Sequence, residues 1–202
     1  AARRARVAEL RAAGMSRCRL KEWYNIVVRP DLMAKMQYKN THAVPKLSAL
    51  SVQVTTKQAS SGLDNAVPAA FILELVAGQT AALTRVKRAN AMYKVRPGHL
   101  EGAKVTLHGE QMYHFLDRVV TQVLPRITDF NGLNPKSFDG NGNYALAIKD
   151  FSYFLEVEAQ HSNLQHLNLQ NSPDINVHIH TTAKTDHEAK LLLTAMRFPF
   201  RP

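Results

Sequence analysis

The sequence has little of what disulfide-stabilised, zinc-binding and membrane-spanning proteins need. Its 202 residues include a single cysteine, Cys18, which excludes internal disulfides and cysteine-based zinc sites. No apolar run approaches the roughly 20 residues of a membrane-spanning helix; the longest, Pro68–Val76, contains Glu74. The chain is nevertheless 45% hydrophobic, enough to bury a core, so we predict a folded protein without a membrane partner.

Familiar catalytic and cofactor motifs are also missing. The chain contains no G-x-S-x-G, no P-loop and no paired carboxylates in a matched context. The segment Gly140–Ala145 fits G-x-G-x-x-A, but a turn precedes it and a strand pattern follows it, whereas the dinucleotide fingerprint joins a strand to a helix. Asp139, Asn141 and Asn143 resemble the start of a calcium loop, yet Tyr144 stands at the required glycine position. We therefore expect neither enzyme activity nor a cofactor.

Histidines are the remaining candidate metal ligands. His178 and His180 share one face of a predicted strand, and His161, His166 or His187 could supply a third ligand. No acidic or thiolate partner has a recognisable spacing, so we expect no metal site.

Positive charge is concentrated in two stretches of the chain. The formal net charge is +10. Residues 1–21 carry seven basic residues against Glu9, and residues 79–104 carry six against Glu101. Residues 150–202 are slightly acidic, with four basic and six acidic residues. This asymmetry favours a polyanionic partner, nucleic acid rather than membrane, although a basic protein without an anionic partner has the same composition.

The N-terminal stretch differs from the rest. We assign residues 1–19 to a basic arm and 20–202 to a single domain. The arm is rich in arginine and alanine and nearly free of acid, a composition typical of organellar transit segments and of basic arms that order on RNA. It favours a mitochondrial location with a plastid as the alternative, while an ordinary basic extension would have the same composition.

Hydrophobic periodicity predicts the order helix, strand, helix, strand, strand, helix, strand, strand, helix. Nearly every predicted strand has one apolar and one polar face. This pattern indicates an α+β fold, a largely antiparallel sheet with helices packed on one face and the other face open for RNA. Pro125 should end the third helix, Gly78 should cap the second, and Thr185 and Glu188 form a capping box that opens the last.

The outward strand positions are basic or hydrogen-bonding and include no carboxylate. Such a face can neutralise phosphates and reach sugars and base edges, so RNA is favoured over a merely solvated face. By parity the outward residues are Ser51, Gln53, Arg85, Lys87, Lys104, Thr106, His108, Asn176, His178 and His180.

Two long loops stand out. Asn90–Gly102 is a basic loop whose tip is predicted to be a Pro97-Gly98 turn. Asp129–Asn143 is rich in glycine and asparagine, and Phe130, Phe138 and Tyr144 could anchor it. A loop this long is usually functional or disordered, and its aromatic anchors favour a functional one.

Several runs resemble one family. The most specific are KVTLHGEQMYHFLDRVV at 104–120, FDGNGNY at 138–144, TTAKTDHEA at 181–189 and FPFR at 198–201. Over roughly residues 20–202 the chain is similar to the universal large-subunit ribosomal protein five family. The resemblance implies a structural role in the large subunit, with 5S-type rRNA bound at the central protuberance. The alternatives are a free-standing RNA-binding or RNA-chaperone protein and, more weakly, a phosphate-handling enzyme.

The resemblance also assigns residues to partners. Family contacts to 5S rRNA fall on Gln53, Gln79, Tyr93 and Thr106, and the surrounding basic side chains that we add are Arg85, Lys87, Arg88 and Lys104. The family's extended loop near P-site tRNA corresponds to Lys94, Arg96, Pro97 and Gly98. The small-subunit head protein would meet Thr128, Asp129, Phe130 and Asn131.

This chain departs from the family pattern in that last region. Family members usually have arginine where it has Thr128, Asn131 and Asn141, which puts phosphate contacts there in doubt. Neighbouring large-subunit rRNA and proteins complete the expected partners.

Overall fold

A five-stranded antiparallel sheet forms the centre of the computed structural model, which describes residues 18–55, 63–92, 95–160 and 174–201. Its strands occur in the spatial order β2-β3-β1-β5-β4. Their bounds are β1 Leu47–Thr55, β2 Ala82–Arg85, β3 Leu100–Leu107, β4 Tyr144–Ile148 and β5 Ile175–Thr181. The predicted basic arm, except for Cys18 and Arg19, lies outside the described residues, and so do Tyr93 and Lys94.

The helices follow the predicted order, with short additions. They are α1 Arg19–Trp23, α2 Arg29–Met36, α3 Leu63–Ala77, α4 Gly109–Arg118, α5 Leu124–Arg126, α6 Leu155–Glu158 and α7 Asp186–Ala195. Helices α3 and α4 contact β1, and α3 also contacts β3. The α+β fold is therefore confirmed. The four-residue helix α6 was not predicted, because one turn is too short to show a helical period.

Strand alternation builds the core. Leu50, Val52 and Val54 of β1 are almost fully buried, and so are their cross-strand partners on β3 and β5. These positions face the helices, so the intervening positions face the other side of the sheet. One buried cluster extends from Cys18 to Phe198, which supports the single-domain assignment for the part of the chain that the structure describes.

Two helical runs widen just before a proline. Tyr24–Val28 is π-helical before Pro30, and Val119–Val123 is π-helical before Pro125. Proline lacks an N–H and its ring crowds the preceding turn, so a widened turn relieves the conflict while the helix continues. The prediction that Pro125 ends its helix is therefore off by one residue, because α5 ends at Arg126. Gly78, with φ of 68°, caps α3 as predicted.

The β2–β3 hairpin is longer than predicted. β3 begins at Leu100, and backbone hydrogen bonds join Val86 to His99 and Gly98, and Asn90 to Val95. Pro97-Gly98 does form a turn, closed by the His99 N–H donating to the Arg96 carbonyl at 3.3 Å. It is not the tip, however, since the Asn90–Val95 pairing lies further along the hairpin. The hairpin therefore projects as a paired arm, which we define as residues 86–99.

Candidate nucleic-acid interface

The open face of the sheet is organised in cross-strand rows. One row runs Ala82, Lys104, Gln53, Asn176, Ala147, and the next runs Thr106, Ser51, His178, Ala145. Lys104 and Thr106 are exposed and Gln53 is half-buried at the centre. The structure thus brings together Gln53, Lys104 and Thr106, three of the predicted RNA-binding residues.

Two residues on this face differ from prediction. Ser51 lies in its row but is only 6% exposed, because Thr106 and His178 flank it across the strands; its hydroxyl is not an accessible contact. Arg85 does not share the face of Lys104. Ala82 and Thr84 pair with Lys104 and Gly102, so alternation places Arg85 on the other side of β2, where it is exposed at the sheet edge.

The remaining basic candidates lie on or beside the arm. Lys87, Arg88 and Arg96 are exposed, as are Pro97 and Gly98. Lys87 lies beyond the end of β2 rather than within the strand as predicted. Gln79 is exposed in the short connection between α3 and β2, at the same edge of the sheet. The cations therefore gather at the β2–β3 edge.

The third predicted region lies at the opposite edge. Thr128, Asp129 and Asn131 are exposed, and Phe130 is half-buried against the core. These residues and β4 line a cavity of about 420 Å³. Because β4 and β2 are the two edges of the sheet, this loop and the basic arm cannot serve one small contact surface.

Histidine chemistry distinguishes the β5 side of the open face. Burial, and then the neighbouring charges of His180 and Lys104, lower the pKa of His178. His178 is thus neutral at physiological pH and can donate or accept one hydrogen bond through its ring. The open-face strand positions carry no carboxylate in the described chain, although Asp139 approaches from the loop before β4. Hydrogen bonds from the Asn143 side chain and from loop amides lower the Asp139 pKa and keep it ionised.

Metal and membrane chemistry have no structural support here. No group of three or more histidine, cysteine, aspartate or glutamate side chains is placed to hold a metal ion among the residues that the structure describes. Within the same ranges, no helix has the length and apolar character to cross a membrane.

Two charged residues have roles that the sequence pattern missed. The Asp186 carboxylate accepts from the Gly140 N–H at 3.2 Å and the Gly142 N–H at 3.0 Å, so it fixes the glycine-rich loop instead of serving only its own helix terminus. Arg118, expected on a solvated helix face, pairs with Glu156 and donates to the Val76 carbonyl at 2.8 Å. Both contacts join residues far apart in sequence, so no local signal reveals them.

The predicted aromatic anchors do hold this loop. Phe138 lies 4.7 Å from Tyr144 and 6.0 Å from Phe200, measured between ring centroids. Leu133 donates its N–H to the Pro199 carbonyl at 2.7 Å and accepts from the Arg201 N–H at 3.0 Å. The long loop is therefore a built surface that the last residues of the chain support.

Comparison with known proteins gives the family. Residues 101–200 match the family model for the C-terminus of ribosomal protein uL5. The chain is 43% identical over 185 residues to a protein of Natranaerobius thermophilus named large ribosomal subunit protein uL5, covering 90% of this chain and 98% of the relative. A protein of the same name from Bordetella petrii is 40% identical over 183 residues, covering 91% and 98%. The chain belongs to the uL5 family of ribosomal proteins.

Proposed function

We propose that this protein is a structural constituent of the large ribosomal subunit and binds 5S-type rRNA, with neighbouring large-subunit rRNA, at the central protuberance. It is a ribosomal protein and not an enzyme. The observation that carries the RNA surface is the open-face row of Lys104, Gln53 and Asn176, continued by the exposed cations of the β2–β3 edge. Amide and hydroxyl groups there can reach 2′-hydroxyls and base edges, while the cations neutralise phosphates.

The test is to remove the three polar groups of that surface together. Replacing Gln53, Lys104 and Thr106 by alanine should weaken binding to a bacterial 5S rRNA by at least tenfold, since each lost polar contact costs on the order of 1 kcal/mol. All three lie outside the apolar core, so the fold should survive.

A matched control removes the same chemistry from the helical layer. Gln122, Lys190 and Thr194 are exposed on helices, and their triple alanine variant should bind 5S rRNA like the unmodified protein. Equal affinity of the two triple variants would rule out the open face as the interface.

The arm has a second proposed partner, P-site tRNA. Its supporting observations are its projection beyond the sheet and the exposed Arg96 beside the Pro97-Gly98 turn. Lys94, outside the described residues, belongs to the same proposal. Replacing Lys94 and Arg96 by alanine should spare subunit assembly but reduce tRNA occupancy of the P site, and unchanged occupancy across a salt series would contradict the assignment.

The loop at the β4 edge is proposed to meet the small-subunit head protein through Thr128, Asp129, Phe130 and Asn131. Its support is the exposure of the first two and Asn131, and their position at the edge remote from the basic arm. Crosslinking from a photoreactive residue introduced at Asn131 in assembled ribosomes should label a head protein; labelling of large-subunit components alone would exclude this contact.

A mitochondrial location is proposed separately. It rests on the arginine- and alanine-rich composition of residues 1–19, while the named relatives are bacterial. Fractionation of cells of the source organism should place the protein in mitochondrial ribosomes, and its recovery in cytosolic ribosomes would exclude the proposal.

A further inference from the structure

A hollow of about 510 Å³ opens on the sheet at the side opposite to the basic arm. Its floor includes Ala145 and Ala147, the exposed open-face positions of β4. Across the strands these alanines pair with His178 and Asn176, so two methyl groups lie beside two long polar side chains. The step in side-chain length creates the recess, whose volume is typical of small-ligand sites.

The wall formed by the glycine-rich loop is preorganised. Asp139 accepts hydrogen bonds from the Asn141 N–H at 2.8 Å and from the Asn143 N–H at 3.0 Å. Phe138 is fixed by its ring contacts to Tyr144 and Phe200. A ligand that enters the hollow therefore meets groups that are already ordered, which lowers the entropic cost of binding.

The charges of the hollow exclude a phosphate as its occupant. Its described lining contains no lysine or arginine, and it includes the ionised Asp139. A phosphate would be repelled by that carboxylate without a compensating cation. A carboxylate, an amide and neutral imidazoles instead match the amino hydrogens and ring nitrogens of a nucleobase edge.

We propose that this hollow binds one unpaired nucleobase of the RNA, a base with an exocyclic amino group, in contact with Asp139, Asn176 and His178. The inference rests on the proposed RNA-binding function and adds a division of labour to it. Cations at the β2–β3 edge follow the phosphate backbone, and the β4–β5 side receives a base splayed out of the strand. Bases that leave the stack are a usual target of sequence-specific RNA recognition.

The experiment fills the hollow and probes bases and backbone separately. The full chain is bound to a bacterial 5S rRNA, base edges are probed with dimethyl sulfate and kethoxal, and the backbone is probed with hydroxyl radicals. The unmodified protein should protect the edge of at least one unpaired adenine, cytosine or guanine. Ala147→Leu and, independently, Ala145→Leu should raise the reactivity of that base at least threefold while leaving the backbone protections in place.

Ala82→Leu is the matched control, because Ala82 is also an exposed open-face alanine on an edge strand. It should leave the protected base unreactive. Two independent filling variants guard against one of them misfolding, and thermal unfolding checks both. Backbone protection without any protected base, or base protection that survives both filling variants, would overturn this inference alone. Absence of backbone protection with the unmodified protein would overturn the proposed 5S rRNA binding and, with it, this inference.

Discussion

At Gly102 the backbone of β1 leaves no room for a side chain. A Cβ atom there would lie 2.0 Å from the Val54 carbonyl oxygen, a backbone atom that cannot rotate away. Gly102 pairs with Thr55 of β1 and Thr84 of β2, so it joins the arm to the sheet. Even the smallest side chain would push β3 off its partner.

We therefore expect Gly102→Ala to lower the free energy of unfolding by about 2 kcal/mol or more, as overpacking against a fixed group does. Urea denaturation measures the change. Gly140→Ala is the comparison, because that site has open space and only a positive φ of 88° to penalise, worth roughly 1 kcal/mol. A Gly102→Ala protein as stable as the parent would show that the two backbones do not approach this closely.

His178 gives a prediction about pH. Burial, followed by the charges of His180 and Lys104, lowers its pKa in the folded protein. The unfolded chain then takes up the proton more readily, so the contribution of His178 to stability is complete above its ordinary pKa of about 6.5 and is lost as the pH falls below it.

NMR titration of the His178 ring should give a midpoint below about 6.5. His180→Ala should move the midpoint upward without restoring it fully, because burial, the larger cause, remains. A midpoint at or above the ordinary value in the parent protein would contradict the buried environment assigned to this ring.

At the scale of elements, Arg118 joins three helices. It extends from the end of α4, donates to the Val76 carbonyl near the end of α3 and pairs with Glu156 of α6. Arg118 and Glu156 keep side-chain exposures of 30% and 32%, so water screens the ion pair and reduces its value.

Arg118→Met should keep the aliphatic stem but leave Val76 and Glu156 without this partner, at a cost of about 1 to 2 kcal/mol in the free energy of unfolding. Adding Glu156→Gln should then cost little more, since the two changes remove one shared interaction. The control is Lys35→Met, which breaks an exposed pair four residues apart with Asp31 and should cost less than about 0.5 kcal/mol. Strict additivity of the Arg118 and Glu156 changes would disprove the coupling.

The same scale shows what sequence could and could not predict. The period-2 alternation of residues 50–55 and 175–180 found β1 and β5, because one face of each is fully buried. The parity of β2 was wrong, because its exposed inner residue Leu83 and its outward Ala82 give alternation little contrast. The ordering of the glycine-rich loop depends on Asp186 and Phe200, which lie more than 40 residues away, so local pattern could only suggest it.

At the scale of the whole molecule, charge is divided between the two edges of the sheet. The exposed cations Lys87, Arg88, Arg96 and Lys104 lie on the arm or on β3, whereas the hollow at the β4–β5 side has no lysine or arginine in its described lining. A polyanion should therefore approach with its phosphates toward the arm. This orientation follows from the strand order, since β2 and β4 are separated by the other three strands.

The salt dependence of binding tests that orientation. Each phosphate that a cation neutralises releases counterions and adds about 0.7 to 0.9 to the slope of log affinity against log salt concentration. Replacing Lys87 and Arg88 by alanine should then lower the slope for 5S rRNA by roughly 1.4 to 1.8. The pair Lys184 and Lys190, exposed beside or on α7, carries the same charge and is the matched control. If both double variants reduce the slope equally, net charge alone drives binding; a reduction confined to Lys87 and Arg88 means that RNA lies along the β2–β3 edge.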